Sequence, residues 1–407
     1  MTAGSDAPCD AVARIFIENP PPCIGVAVSG GGDSMALLVA AQAAFPGRIK
    51  AVTVDHALRP ASADEARAVA AFCAGRGIAH SVLRWQGPEP TGNLMDQARR
   101  ARILLISDWA KARGMGDVLL GHTADDNAES LVMNLARSAG LDGLSGMRPD
   151  WHEEGVHWHR PLLTCSRDSL RAYLTKAQVT WIEDPSNDNP RFTRVKARRA
   201  MAALAPLGIT AETLAASLSN LAAARHALMR VTATAAQGVT EHAGGLSLAR
   251  EVLASLDPEI VRRLLSAAIQ WMAGDAYPPR GAQLGALQAR LSAGADAQLG
   301  GVRFLHRRGV LHILREPRSV MGPVALGQIW DHRWRLQGPA DPGCSIRALG
   351  ADGLRLCPAP RAALREALVV SPAVWRGDSL VAAPLAGLAG PFQAELSQGL
   401  ADFILSH

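Results

Sequence analysis

The sequence predicts an α/β protein: a doubly wound parallel sheet at the N-terminal end, then a mainly helical domain, then a small α+β domain. Three observations carry this. Strand-like and helix-like segments alternate through the first half, a glycine-rich turn follows the first of the strands, and the alternation stops after residue 201.

The elements follow in order. Residues 24–28 form a short apolar strand and residues 35–44 a helix; residues 49–54 (IKAVTV) form a second strand, followed by a helix over 62–76. A third strand is expected at 80–83, a long helix at 94–113, a fourth strand at 117–121, and a helix from about Asp126. In such a sheet ligands bind beyond the carboxyl ends of the strands, so the loops after Val28, Val54 and Leu120 are the places to look. From Met201 to about Ala236 the chain is Ala/Leu-rich and helical, residues 256–274 form another helix, and residues 298–316 alternate around a Gly turn as a hairpin. The last ninety or so residues are rich in Pro and Gly, with short β-like runs such as ALVV and SLVAA. Boundaries are placed near 205 and 318, giving domains 1–205, 206–318 and 319–407.

Composition narrows the class. With 407 residues and a hydrophobic share of 48%, the chain can build several cores, so disorder is not the default. A net charge of +5 tilts toward an anionic partner. The six cysteines are scattered with no C-x-x-C, which argues against a disulfide scaffold or a structural zinc site. No apolar stretch reaches membrane-spanning length and no signal-peptide pattern opens the chain, so a cytoplasmic protein without a membrane or an obligate protein partner is expected.

The first motif is SGGGDS, residues 29–34. A strand that ends in glycines and opens a helix offers bare backbone N–H groups to an anion. Ser29 and Ser34 add hydroxyl donors, and Asp33 has the chemistry to hold Mg²⁺ against phosphate oxygens. It is neither a Walker A loop nor a G-x-G-x-x-G. The competing reading is an ordinary turn with Asp33 or Ser34 capping the helix. The second motif, LLGHTADDNAESLVMNLARSAGLDGLSGM (119–147), leaves a strand at His122 and enters a helix whose buried face is expected at Ala128, Leu131, Val132 and Leu135. Asp126 and Glu129 are either a capping-box-like pair or functional acids above the sheet, beside the glycine loop.

SGGGDS resembles the pyrophosphate loop of the N-type ATP pyrophosphatases, whose fold is of the adenine nucleotide alpha hydrolase type. With VDHALRPASADEA (54–66), GNLMDQARRAR (92–102), GHTADDNAES (121–130), RPLL (160–163) and DPSNDNPRFTRVKARR (184–199), the chain resembles the tRNA(Ile)-lysidine synthases. The likeness is dense over residues 24–200 and thinner beyond, where PPRGAQLGAL, LGGVRF and ALVVSPAVWRGDSLVAAP (368–384) match more loosely.

The resemblance implies a ligase reaction. AMP is transferred from ATP onto the C2 oxygen of the wobble cytidine of a CAU-anticodon isoleucine tRNA, and free L-lysine then displaces it. It implies that Ser29, Gly30, Gly31, Gly32, Asp33 and Ser34 bind ATP phosphates, with Asp33 on Mg²⁺. His56 and His122 would lie at the nucleotide, and Arg99 and Arg102 would meet phosphate or the adenylated intermediate. Asp126 and Glu129 would recognise lysine, with Asp126 as base; Asp33, Arg102 and Asp126 are thus the catalytic set. The family often has Glu or Gln where Met95 stands and an aromatic residue where Ile103 stands. The two C-terminal domains would bind tRNA.

Residues 191–199 (RFTRVKARR) carry five basic side chains and no acid, so Arg191, Arg194, Lys196, Arg198 and Arg199 are expected to contact the tRNA backbone, with Phe192 packed or stacked beside them. WHEEGVHWHR invites a metal reading through His152, His157 and His159, but no carboxylate–histidine spacing matches a known site, and the stretch is read as an irregular hairpin. Two rivals remain. A sulfurtransferase of the same superfamily would need cysteines in the nucleotide loops, and a non-catalytic RNA-binding relative would not need the intact 30–34 run.

Overall fold

The structure is a computed structural model that describes residues 7–55, 62–85, 94–183, 193–242, 244–275, 277–358 and 364–406. His56, Arg191 and Phe192 lie outside the described residues. The chain separates into two units, Met1–Arg225 and His226–His407.

In the first unit a short helix α1 (Ala7–Ala13) precedes β1 (Ile24–Ala27), α2 (Gly32–Ala44), β2 (Ile49–Asp55), α3 (Ser62–Gly75), β3 (Ala79–Arg84), α4 (Leu94–Lys111), β4 (Asp117–Leu119) and α5 (Ala124–Leu135). Then come α6 (Leu141–Leu144), the hairpin β5 (Asp150–Glu153) and β6 (Val156–His159), α7 (Arg167–Lys176), α8 (Thr193–Leu204) and the start of α9 (Ala211–Ala236). The sheet order is β3-β2-β1-β4-β6-β5, parallel except for β5 against β6. The expected doubly wound sheet is present. Its strand order reverses between β1 and β4, and the crevice at a reversal is where this architecture binds ligands.

The core explains why the sheet forms. Ile24 and Val26 of β1 are fully buried, and α2 lays Met35 to Ala41 against them. On the opposite face Ile103, Ile106, Trp109 and Ala110 of α4 cover Val52, Val118 and Trp158. Ile103 is therefore a packing residue. The α6 segment is tied to α5 through Asn134 Nδ2, which donates to the Gly143 carbonyl at 2.7 Å, and through Asn127 Oδ1, which accepts from the Met147 N–H at 2.8 Å. The GLDGL run thus folds back onto α5.

The second unit continues α9 and adds β7 (Thr240–His242), β8 (Gly245–Ala249), α10 (Arg250–Ser255), α11 (Pro258–Ala273), α12 (Gly281–Ser292), β9 (Ala297–Leu299), β10 (Val302–Arg307) and β11 (Val310–Arg315). Five antiparallel strands in the order β7-β8-β11-β10-β9 share a core with α11 and α12. The hairpin expected at 298–316 is β10 and β11, joined at Arg308-Gly309. Beyond it lie β12 (Val324–Ala325), β13 (Trp334–Gln337), β14 (Ser345–Ala348), α13 (Gly350–Arg355), α14 (Arg365–Val369), β15 (Pro372–Arg376), β16 (Ser379–Ala382), β17 (Gln393–Leu396) and α15 (Leu400–Ser406). One β-like run departs from expectation. Most of ALVV lies in α14, where Ala367 and Leu368 are buried, so packing overrides the β preference of the valines. Asp331 is fully buried between Arg315, at 3.4 Å, and Arg333, at 3.2 Å. Among the described residues no single helix is long and apolar enough to cross a membrane.

Candidate active site

The glycine loop sits at the reversal. Gly30 has φ +87°, and a Cβ there would stand 2.8 Å from Ile182 Cδ1, so only glycine fits. Its carbonyl accepts from the Ile182 N–H at 2.9 Å, which docks residues 181–183 on the loop. The helix cap is Gly31, without a side-chain bond, so Asp33 and Ser34 lie inside the first turn of α2 and neither is the cap. Ser34 knits the loop: its Oγ accepts from the Ser29 N–H at 3.1 Å and donates to the Gly31 carbonyl at 2.9 Å. Gly121, after β4, touches the same turn; a Cβ there would lie 3.1 Å from the Asp33 carbonyl oxygen.

The loop and the end of β4 border a cleft of about 490 Å³ lined by Ser29, Gly31, Gly32, Asp33 and Ser34 and by Arg102, His122, Asp126, Arg167, Arg194 and Arg198. Helix α5 supplies the acids. Thr123 caps it in a capping box: Thr123 Oγ1 accepts from the Asp126 N–H at 3.2 Å, while Asp126 Oδ2 accepts from the Thr123 N–H at 2.9 Å. The box is therefore Thr123–Asp126 and not Asp126–Glu129. Asp126 serves both readings at once, because its second oxygen, Oδ1, faces the arginines. The expected apolar face holds at Ala128 and Leu131 but fails at Leu135, which is 56% exposed; Asp126, Asn127 and Glu129 are buried instead.

Three guanidinium groups neutralise these acids. Arg167 on α7 donates to Glu129 Oε1 and Asp126 Oδ1, each at 2.5 Å, and to Asp33 Oδ2 at 3.3 Å; its backbone N–H reaches Asp125 Oδ2 at 2.7 Å. Arg194 donates to Glu129 Oε2 at 2.8 Å and Asp126 Oδ1 at 3.0 Å, and Arg198 to Glu129 Oε1 at 3.1 Å. Burial works against the charge on Glu129, yet the three arginines outweigh it and hold its carboxyl below the usual range. Asp33 goes the other way: burial raises it, Arg167 lowers it, and the repulsion of Asp126 and Asp125 helps leave it raised. Burial likewise raises Asp125.

Across the cleft the wall is basic. Arg102 lies in the lining with its Nε buried and without a hydrogen-bond partner, and burial together with Arg99 depresses its pKa. Arg160 donates Nε–H to His122 Nδ1 at 3.1 Å and Nη1–H to the Arg148 carbonyl at 2.7 Å, and stacks 3.9 Å over the Trp151 ring. Burial, then Arg160, Arg102, Arg194 and Arg99, push His122 down to about 3. His122 is thus a neutral imidazole that accepts at Nδ1 and keeps its proton on Nε2.

These contacts gather most of the anticipated residues at one cleft, bordered by the 29–34 loop, Arg102, His122 and Asp126, while Glu129 is buried and joined to the lining through Arg167, Arg194 and Arg198. Arg99 is exposed one turn from Arg102. The 193–199 helix divides. Lys196 and Arg199 are exposed, whereas Arg194 and Arg198 turn toward the α5 acids, a placement the basic density of the segment does not reveal. Sequence reasoning missed Arg167 and Arg160, and it noted the second acid, Asp125, without giving it a role. Arg160 stands in the quoted RPLL; Arg167 is marked only by Ser166, which caps α7.

Residues 9–204 match the PP-loop domain family. A curated tRNA(Ile)-lysidine synthase of Ruegeria pomeroyi is 45% identical, with 100% of both chains aligned. The chain belongs to the tRNA(Ile)-lysidine synthase family. Another member, from Rhizobium meliloti, is 34% identical over 97% of this chain and 91% of its own. A solved U34-tRNA thiolase NcsA from Methanococcus maripaludis, with its 4Fe-4S cluster, gives a TM-score of 0.45 at 16% identity, over 53% of this chain and 77% of that one. Members of the lysidine synthase family are ligases, and the PP-loop domain makes this chain an ATP-using one.

Proposed function

We propose that the protein ligates free L-lysine onto C2 of the wobble cytidine of the CAU-anticodon isoleucine tRNA. ATP first transfers AMP to the C2 oxygen and releases pyrophosphate; the lysine ε-amine then attacks C2 and AMP leaves. The observation that carries the reading is the Asp126–Glu129 pair, which binds three guanidinium groups at 2.5–3.1 Å; Asp126 lines the cleft bordered by the glycine loop and Glu129 is buried next to it. Such a pair suits a cationic amine next to a phosphate grip. Full-length similarity to named lysidine synthases supports the substrate assignment.

Each residue then has a task. Backbone N–H groups at the N-terminus of α2 receive the phosphates, and Ser29 and Ser34 hold the loop in shape. Arg102, with a free buried Nε, offers charge to phosphate or to the adenylated intermediate, and Arg99 extends that wall. The Nε2–H of His122 donates to a nucleotide oxygen. Asp126 and Glu129 orient the lysine ammonium, and Asp126 takes a proton as the amine attacks. Asp33 fits Mg²⁺, since its carboxyl group lines the cleft at the start of α2, where the phosphates are received; when bound, the ion neutralises phosphate charge. Lys196 and Arg199 meet the tRNA backbone. The domains at 206–318 and 319–407 are assigned to the rest of the tRNA.

Incubation with unmodified CAU-anticodon isoleucine tRNA, ATP, Mg²⁺ and labelled lysine tests this. Label retained on the tRNA, with AMP and pyrophosphate formed, is the expected result. Folded protein and competent tRNA that retain no label refute it.

A further inference from the structure

The β5–β6 hairpin has histidines that the cleft does not use. The register pairs Asp117 of β4 with His157 of β6, and His157 with His152 of β5, while His159 pairs with Asp150. Side chains two apart on a strand share a face, so Asp117, His157, His159, His152 and Asp150 crowd one side of the sheet, and none of them lines the cleft. His159 Nε2 lies 2.8 Å and His157 Nδ1 3.6 Å from the same oxygen, Asp117 Oδ1. One ligand atom from each of the three residues lies within 4.8 Å of the others.

We propose that Asp117, His157 and His159 bind one divalent transition-metal ion of the zinc class, at a site separate from the ATP cleft. Two imidazoles and a carboxylate are a ligand set that such ions prefer. Ligand atoms around tetrahedral zinc stand on the order of 3.3 Å apart, so shifts below about 1 Å complete the site.

A further carboxylate supports the cluster. His157 Nε2 lies 3.0 Å from Asp150 Oδ1, and the proton of that hydrogen bond belongs to the nitrogen. That leaves His157 Nδ1 directed at Asp117 Oδ1, the oxygen that His159 Nε2 also approaches. Asp150 is the outer carboxylate that typically orients a metal-bound histidine. His159 is buried beside the Phe16 ring, at 5.1 Å between centroids, which fixes its imidazole next to Asp117. His157 and Asp117 are partly exposed, at 30% and 21%, which leaves water room for a fourth position. Spacing along the chain hides the site because its carboxylate comes from β4, forty residues before the histidines.

The test uses the full chain, freed of metal with a chelator and held in excess Mg²⁺ so that the cleft acids do not compete. Calorimetric titration with Zn²⁺ is expected to show one equivalent bound, with a rise in melting temperature. Asp117→Asn and His157→Gln should each abolish both effects, Asp150→Asn should weaken binding by about 10- to 100-fold, and Asp33→Asn should leave it intact. Co²⁺ should give d–d absorption in the parent and not in the first two variants. The proposal is overturned if no equivalent binds, if binding survives both ligand variants, or if nitrogen NMR finds His157 protonated at both positions with Zn²⁺ present.

Discussion

Arg167 on α7 and Glu129 on α5 meet at 2.5 Å, and Arg167 also reaches Asp126 and Asp33. Glu129 has only 3% of its side chain exposed, so its charge depends on the guanidinium groups around it. Arg167→Ala is expected to lower stability by about 2–3 kcal/mol in urea denaturation, the worth of charged hydrogen bonds lost in a sheltered site. Arg167→Lys should recover only part, because an ammonium cannot match the guanidinium fork. Full stability in the alanine variant would show that Arg194 and Arg198 suffice.

The phosphate loop gives a backbone prediction. Gly30→Ala places a Cβ at φ +87° and 2.8 Å from Ile182, a cost of about 1–3 kcal/mol at a strained site. Lysine- and tRNA-dependent AMP release should fall at least tenfold. Gly31→Ala, which meets only Ser29 Oγ at 3.7 Å, should cost less stability, and the two are compared by thermal melting.

His122 sets a pH dependence. Its folded pKa, about 3, lies below the usual 6.5, so the unfolded chain binds more protons between these values. The stability His122 contributes is complete above about pH 6.5 and is lost as pH falls toward 3. Urea midpoints measured from pH 4 to 8 should show a slope that His122→Gln reduces; equal slopes would mean that His122 titrates normally.

Glu129→Gln should raise the KM for lysine more than tenfold and leave the KM for ATP within about threefold, since Glu129 contacts Arg167, Arg194 and Arg198 and no residue of the glycine loop. Steady-state kinetics with each substrate varied in turn decide this. An unchanged lysine KM would remove Glu129 from amine recognition.

Lys196→Glu with Arg199→Glu should weaken tRNA binding and flatten its salt dependence, as each lost phosphate contact reduces the slope by about one. Reversal at Arg194 or Arg198 should instead disturb the acid cluster and lysine affinity. Filter binding across salt concentrations separates the two pairs.

Much of this was legible in the sequence, where one short segment holds a whole device. SGGGDS between two apolar runs gives the loop, and the strand–helix alternation places it at the end of β1. Asp126 and Glu129, one turn apart, point to one face. What escaped depends on chain segments meeting in space. Arg167 comes from a helix 38 residues beyond Glu129. Arg194 and Arg198 look like a free basic stripe until α8 packs against α5, and Asp117 meets its histidines only through the β4–β6 register. Local chemistry shows in residue types; partnership across the sheet does not.

The carboxylate of Asp126 is divided between two employments. One oxygen closes the start of α5 on Thr123, and the other faces Arg167 and Arg194. An asparagine there would turn an amide donor toward one of two sets of donors, whichever way it flipped. Drift at this position would therefore damage the helix together with the cleft. On the proposed reading, a descendant of this enzyme that came to accept a different amine would change at Glu129, Arg194 or Arg198, with Asp126 held constant by the helix start it also closes.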